Sequence, residues 1–82
     1  MEHVTATPGL REVLRYRKAG RIRVYGLRML DRGVELWVAA GKAGRLGEAK
    51  KRVEFSASDD VSVFLEDVEQ TLRTGEWTRL TP

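Results

Sequence analysis

The side chains best suited to chemistry in this chain are Arg23, Tyr25 and Trp37. Strand alternation puts Arg23 and Tyr25 on one face, and Trp37 falls on the same face of the next strand. Exposed rings stack on unpaired bases, and arginine adds cation–π contacts and a charge for phosphate. The two rings could instead be cross-strand partners or lie in a dimer interface. The spacing therefore indicates a stacking platform for single strands or a buried protein contact.

Basic and acidic residues are separated along the chain. Thirteen of the fifteen Lys and Arg residues fall within residues 11–52, together with four acids, a net charge of +9. Residues 53–82 contain seven acids and two bases, a net charge of −5. A basic half joined to an acidic half predicts a surface for a polyanion, with nucleic acid the leading candidate.

Other bases extend this predicted surface. Lys42 and Arg45 lie in GKAGRLG, whose glycines match neither a nucleoside-triphosphate loop nor a dinucleotide fingerprint, so we expect at most phosphate contacts there. The charges that open the last strand either protect a sheet edge from aggregation or contact phosphates. The predicted nucleic-acid contacts are Arg15, Arg17, Lys18, Arg21, Arg23, Tyr25, Trp37, Lys42, Arg45, Lys50, Lys51 and Arg52.

Catalysis and metal binding find little support in the sequence. There is no cysteine, and the single histidine, His3, lies in the N-terminal tail. Metal sites and histidine-based triads are therefore not expected. Asp59 and Asp60 are better explained as acids that favour a helix N-terminus. We expect a binding protein without a cofactor rather than an enzyme.

Length limits the architecture to one domain over residues 1–82, with a flexible tail at residues 1–9. So short a chain has a marginal core, which favours a homodimer, with Trp77 and Leu80 adding to the contact. No apolar run approaches the roughly 18 residues of a membrane span, and MEHVTATPG lacks signal-peptide features. We therefore expect a cytoplasmic protein with no membrane partner.

A helix over residues 59–74 is the clearest local prediction. Ser58 is the expected N-cap and Gly75 the expected C′ residue. The acids and amide of the outer side, Glu66, Asp67, Glu69 and Gln70, are expected to be solvated. The apolar positions i, i+3, i+4, i+7 and i+11 are Val61, Phe64, Leu65, Val68 and Leu72. We expect Phe64, Leu65 and Val68 to hold the helix to the fold.

Strand patterns precede the helix in three stretches, residues 21–30, 34–40 and 51–57. Asp31-Arg32-Gly33 predicts a hairpin with glycine at a left-handed position. Residues 41–48 contain three glycines and two bases and predict a flexible basic loop. Residues 8–18 fit a strand or a helix equally well.

One helix must cover one face of a small antiparallel sheet, because its apolar stripe needs a partner. We therefore predict an α+β fold of three to four strands (β-β-β-β-α) with one C-terminal helix packed across one face. The side chains expected against the helix are Ile22, Val24, Leu36, Val38, Val53 and Phe55. Those expected on the uncovered face are Arg21, Arg23, Tyr25, Trp37, Arg52 and Glu54.

Residues 12–72 resemble the PUR-repeat family, in particular its single-repeat bacterial members. The matching segments are EVLRYR, the turn KAG, RIRVYGLRML, the hairpin LDRGV with VELWVAA, KRVEFSA and the helix SDDVSVFLEDVEQTL. The resemblance implies four curved antiparallel strands and one helix, with residues 8–18 in a strand. It also implies a binder of single-stranded DNA or RNA that pairs two repeats. Whirly-type proteins and the positive-cofactor family, also nucleic-acid binders, are similar in topology.

Two alternatives remain open. The segment EDVEQTLRTGEW is similar to the helix and exit of arm-binding domains of phage integrases, which implies binding of duplex DNA through the sheet. The other alternative is a protein-interaction or assembly domain in which the rings are buried in a partner. Salt separates these classes, since a phosphate binder loses affinity steeply with salt and an apolar interface does not.

Overall fold

Residues 9–56 and 58–80 are described by a computed structural model of the chain. They form an antiparallel sheet and one C-terminal helix, which is an α+β fold. The predictions for the tail at residues 1–8, for Ala57 and for the Ser58 side chain lie outside this description.

The sheet has six strands rather than three to four. Four long strands form an antiparallel meander, and two strands of two residues extend it. The strands are β1 (Leu10–Lys18), β2 (Arg21–Leu30), β3 (Gly33–Lys42), β4 (Arg45–Leu46), β5 (Lys50–Phe55) and β6 (Thr78–Arg79), with helix α1 (Ser58–Thr74) between β5 and β6. Both β4 and β5 pair with β3, whereas β6 pairs with β1.

Residues 10–18 form a strand, although their sequence pattern fits a strand or a helix equally well. The turn that follows consists of Ala19 and Gly20, at φ +49° and +81°. Positive φ at both central residues is the geometry that a two-residue hairpin needs to match strand twist. The turn therefore fixes β1 directly against β2, with Lys18 paired to Arg21.

The second hairpin turns at Asp31 and Arg32, as predicted, with Leu30 paired to Gly33. Gly33 has φ +152°, and a Cβ at this position would clash with the carbonyl oxygen of Phe55. Glycine is needed here because the backbone of β5 approaches this closely.

Residues 41–48, predicted as a flexible basic loop, contain the end of β3 and the two-residue strand β4. The chain continues in β3 to Lys42, turns and returns as β4. The N–H of Ala43 donates to the carbonyl of Gly20 (2.7 Å), and that of Gly47 donates to the carbonyl of Ala40 (3.0 Å). These bonds tie the glycine-rich segment to the sheet, where it adds a short strand.

The helix begins one residue before the predicted start, and its first-turn acids and last-turn base lie where they were expected. Its exit is a Schellman motif. The N–H of Trp77 donates to the carbonyl of Leu72 (2.9 Å), and that of Glu76 to the carbonyl of Arg73 (3.0 Å). The C′ residue is therefore Glu76, at φ +66°, and not Gly75 as predicted.

Each face of the sheet buries its own apolar cluster. The cluster under α1 is Leu14, Tyr16, Tyr25, Leu36 and Leu72. The cluster on the other side, which we call the open face, is Ile22, Val24, Ala39 and Ala49, with Leu10, Trp37, Leu46 and Leu80 packed against it. The second cluster shows that the open face is partly a core.

The prediction of which residues face the helix is correct for β3 and wrong for β2. In β5 it is correct for Val53 and Phe55 but wrong for Arg52, which was expected on the uncovered face and lies on the helix side. Val24 belongs to the open face, whereas Tyr25 pairs with Val38 and Leu27 with Leu36 on the helix side. Apolar residues occupy both parities of β2, as in a strand that is buried on both faces. Alternation alone cannot choose between the two parities of such a strand, and a one-residue shift reverses every side chain.

The helix covers its side of the sheet incompletely. Val61 and Leu72 are buried, but Phe64, Leu65 and Val68, predicted as its main anchors, are only half-buried. The Phe64 ring meets that of Phe55 at 5.4 Å between centroids. In the described part of the chain, no helix is long and apolar enough to cross a membrane.

Candidate nucleic-acid interface

The charges of the open face are largely paired. Glu35 is 8% exposed and lies 3.5 Å from both the Arg28 guanidinium and the Lys51 ammonium. Lys51 also reaches Glu54 at 3.6 Å. Each base here has an acid beside it, so this part of the open face has little net charge.

The same pairing recurs on β1. The Arg15 guanidinium donates to both carboxylate oxygens of Glu12, at 2.8 and 3.1 Å. Strand register places both residues, and the exposed Arg17, on the open face. Arg15 and Lys51, predicted as phosphate contacts, therefore already have carboxylate partners.

The platform predicted from Arg23, Tyr25 and Trp37 does not form. Trp37 lies on the open face as predicted, where it is half-buried and its indole N–H donates to Glu35 (3.2 Å). Arg23 and Tyr25 lie on the helix side instead, and Tyr25 is only 7% exposed. The cause is the reversed parity of β2, which leaves the Tyr25 ring almost entirely buried.

A groove on the helix side replaces this platform. Its larger part, about 560 Å³, lies between α1 and the adjoining ends of β2, β3 and β5. Its smaller part, about 220 Å³, lies beside Trp77. Arg23 and Ala40 line both parts, so the two adjoin. We call them together the basic groove. Six cationic residues line it, Arg21, Arg23, Lys42, Lys50, Lys51 and Arg52, and of these Lys51 is paired with acids on the open face.

The start of β5 explains how bases come to line the groove. Val53 pairs with Leu36 but Lys51 pairs with Trp37, so Arg52 is the extra residue of a bulge. Bulges bend a strand and redirect side chains. Here Lys51 points to its acid partners on the open face, while Arg52 lines the groove with Lys50.

Trp77 contributes an aromatic ring to the groove. The guanidinium carbon of Arg23 lies 5.1 Å from the centre of the Trp77 ring, which is cation–π distance. The Schellman motif holds Trp77 in place directly after the helix. Sequence reasoning assigned Trp77 and Leu80 to a dimer contact. Leu80 packs against the open-face cluster of its own chain and remains half-buried.

All the groove cations except Lys51 lack acid partners within the described residues. Across residues 9–56 and 58–80, no carboxylate forms an ion pair with the other five, Arg21, Arg23, Lys42, Lys50 and Arg52. Among the acids of the helix, Glu69 already has basic partners, since it accepts hydrogen bonds from Arg79 at 2.9 Å and from Arg73 at 3.4 Å. Uncompensated charge of one sign in a concave site concentrates the field that attracts a polyanion.

Two further predicted contacts occupy positions beside the groove. The ammonium group of Lys18 donates to the carbonyl of Gly75 at 2.6 Å, where a cation satisfies the helix C-terminus. Arg45 is exposed on β4, paired in register with Lys42. Lys18 thus has a structural partner, while Arg45 extends the charge at the end of the sheet.

The interior of the groove is apolar below its charged rim. Tyr25, Val38, Phe64 and Val68 line it, and all except Tyr25 are half-buried. Within the described residues, no cluster of three or more Asp, Glu or His side chains could hold a metal ion. The arrangement is suited to an anion that also carries a flat apolar group.

Comparison with protein-family models, with curated proteins and with solved structures finds no match to this chain. Function must therefore be inferred from the groove itself.

Proposed function

We propose that the protein binds single-stranded nucleic acid, DNA or RNA, in the basic groove. The observation that carries the proposal is that five of the six cationic residues lining two adjoining cavities beside Trp77 have no acid partner among the described residues. Such a combination of a positive groove and an aromatic ring is typical of proteins that hold single strands without reading their sequence. The role is one of binding rather than catalysis.

The shape and lining of the groove favour a single strand over a duplex. A duplex keeps its bases stacked inside and presents mainly phosphates, which would leave Phe64 and Val68 uncovered. Integrase-type binding of a duplex would use the open face, where Arg28 and Lys51 are paired with acids. An unpaired strand can satisfy both the cations and the apolar floor.

We also propose that the protein is a cytoplasmic homodimer. The support for the dimer is exposed apolar surface outside the groove, since Met29 is 69% and Val63 67% exposed. A small core is commonly completed by a second copy. Light scattering should give twice the mass of one chain at micromolar concentration, and a monomer would remove this part of the proposal.

The same exposed apolar side chains favour a second candidate, a protein-interaction domain without a nucleic-acid role. In that case Met29 and Val63 would contact a partner, and the groove cations would serve only solubility. Salt separates the two candidates, because apolar contacts are insensitive to the ionic strength that weakens phosphate contacts.

The test is fluorescence anisotropy with a labelled single-stranded DNA, its duplex and the matching RNA, at 50 and 200 mM salt. Five phosphate contacts on a single strand give a slope of about −3.5 in log affinity against log salt. Affinity for the single strands should thus fall on the order of 100-fold between the two salt concentrations. Absence of binding at 50 mM salt, or binding that ignores salt, would exclude the proposal.

A further inference from the structure

The basic groove is too large and too apolar to be explained by phosphate alone. Its larger part, about 560 Å³, lies within the range of roughly 300–1,000 Å³ that is usual for small-molecule sites. A phosphate would neutralise Arg23, Lys50 or Arg52 at the rim and leave the interior unfilled.

The floor of the groove consists of side chains that the fold leaves half-covered. β5 starts at Lys50, opposite Val38, so Ala40 lies beyond its end and is exposed. Phe64 and Val68 on the helix face this gap and remain half-buried. Covering them would remove apolar surface from water, at about 25 cal/mol per Å².

A nucleobase meets both requirements at once. Its flat faces are apolar enough to cover Phe64 and Val68, while the phosphates on either side of it stay at the rim. An unstacked base that rests on an apolar or aromatic wall is a common feature of single-strand recognition.

We infer that the groove contains a base subsite, in which one unstacked base of the bound strand lies on Val38, Phe64 and Val68. The flanking phosphates then lie against Arg23 on one side and Lys50 and Arg52 on the other. This inference rests on the proposed function and adds that part of the affinity comes from a base rather than from phosphates.

The test compares an oligothymidine with an abasic strand of the same length, which has the same phosphates and no bases. Binding to the purified protein is measured by anisotropy competition at 50 mM salt. The oligothymidine should bind about tenfold more tightly, as expected for one stacked base, and both should show the same salt slope. If the two strands bind equally, the base subsite is excluded and the proposed function stands. If neither strand binds, the proposed function itself fails.

Two valines on one helix give a matched pair of variants. Val68→Phe fills the groove and should reduce the affinity for oligothymidine to that for the abasic strand. The affinity for the abasic strand itself should not change. Val63→Phe, at a 67% exposed position, should change neither affinity. Thermal unfolding confirms that both variants fold, and the comparison of strands on the unmodified protein does not depend on them. Full oligothymidine affinity in a folded Val68→Phe variant would contradict the subsite.

Discussion

The two sides of the sheet carry similar residue types but differ in how far their basic residues are paired with acids. On the open face, Glu12 pairs with Arg15, and Glu35 lies between Arg28 and Lys51. On the helix side, five of the six bases that line the groove have no described acid partner. Surface ion pairs contribute little stability, typically 0–1 kcal/mol, so their main effect here is on where positive potential remains. The position of the acids, more than that of the bases, therefore locates the candidate site.

Apolar burial, by contrast, is shared between the sides. Leu36 under the helix is 0% exposed, and Ile22 on the open face is 5% exposed. We expect Leu36→Ala and Ile22→Ala each to lower the free energy of unfolding by about 2–5 kcal/mol, because each leaves a cavity in a packed cluster. Urea denaturation measures both. If Ile22→Ala left the free energy of unfolding unchanged, the open face would be an ordinary surface and not a second core.

Charge removal should affect only one side. Arg52 lines the groove, whereas Arg17 lies on the open face, and both are exposed arginines. Arg52→Ala should weaken binding of single-stranded DNA and reduce the salt slope by about 0.7, the value for one lost phosphate contact. Arg17→Ala should leave affinity and slope unchanged. Equal effects from the two variants would show that the strand does not distinguish the sides.

The cluster under the helix contains one polar atom that the described residues leave unsatisfied. The Tyr16 hydroxyl is buried without a hydrogen-bond partner. Tyr16→Phe should therefore raise the free energy of unfolding by about 1 kcal/mol, since it removes an unpaired buried group. A loss of stability, measured by urea denaturation at pH 7, would indicate a partner for this hydroxyl.

Tyr16 also gives the helix side a pH dependence. Burial, and then the negative charge of Glu69, raise the pKa of Tyr16 above its ordinary value of 10.0. A raised pKa in the folded state means that the unfolded chain loses this proton first. The contribution of Tyr16 protonation to the free energy of unfolding is therefore complete below pH 10. It is lost as the pH rises through the folded-state pKa of Tyr16. This loss should be absent from Tyr16→Phe.

The smallest effect concerns the helix exit that places Trp77 in the groove. Glu76 adopts a left-handed conformation, which glycine adopts without strain. Glu76→Gly should stabilise the fold by about 0.4–1 kcal/mol by thermal denaturation. Gly75→Ala is the control, because a Cβ there makes only ordinary contacts, the nearest at 3.5 Å. A destabilising Glu76→Gly would show that the exit does not rely on this conformation.

Local signals in the sequence predicted local structure well. The helix over residues 59–74 and the turn at Asp31 and Arg32 follow from periodicity, helix-end charges and turn residues that act within a few positions. The antiparallel sheet with one C-terminal helix followed from the single apolar stripe. The separation of basic from acidic residues along the chain followed from counting them.

The location of the site was not predictable in this way. β2 has apolar residues on both parities, so the side that receives Arg23 depends on pairing with the rest of the sheet. Arg52 reaches the groove through a bulge that no residue type in KKRVEF predicts. Trp77 reaches Arg23 only through the path of the chain after the helix. These are long-range consequences of packing, whereas sequence patterns report short-range preferences.

The two tryptophans of the chain test the central claim, that the groove and not the open face binds the strand. Trp77 lies beside Arg23 in the groove, and Trp37 lies on the opposite side of the sheet. The measurement is intrinsic tryptophan fluorescence during titration with oligothymidine at 50 mM salt, in Trp37→Phe and in Trp77→Phe. We expect the fluorescence change to persist in Trp37→Phe, where Trp77 reports, and to disappear in Trp77→Phe. A change that persists in Trp77→Phe and disappears in Trp37→Phe would place the strand on the open face and contradict the account.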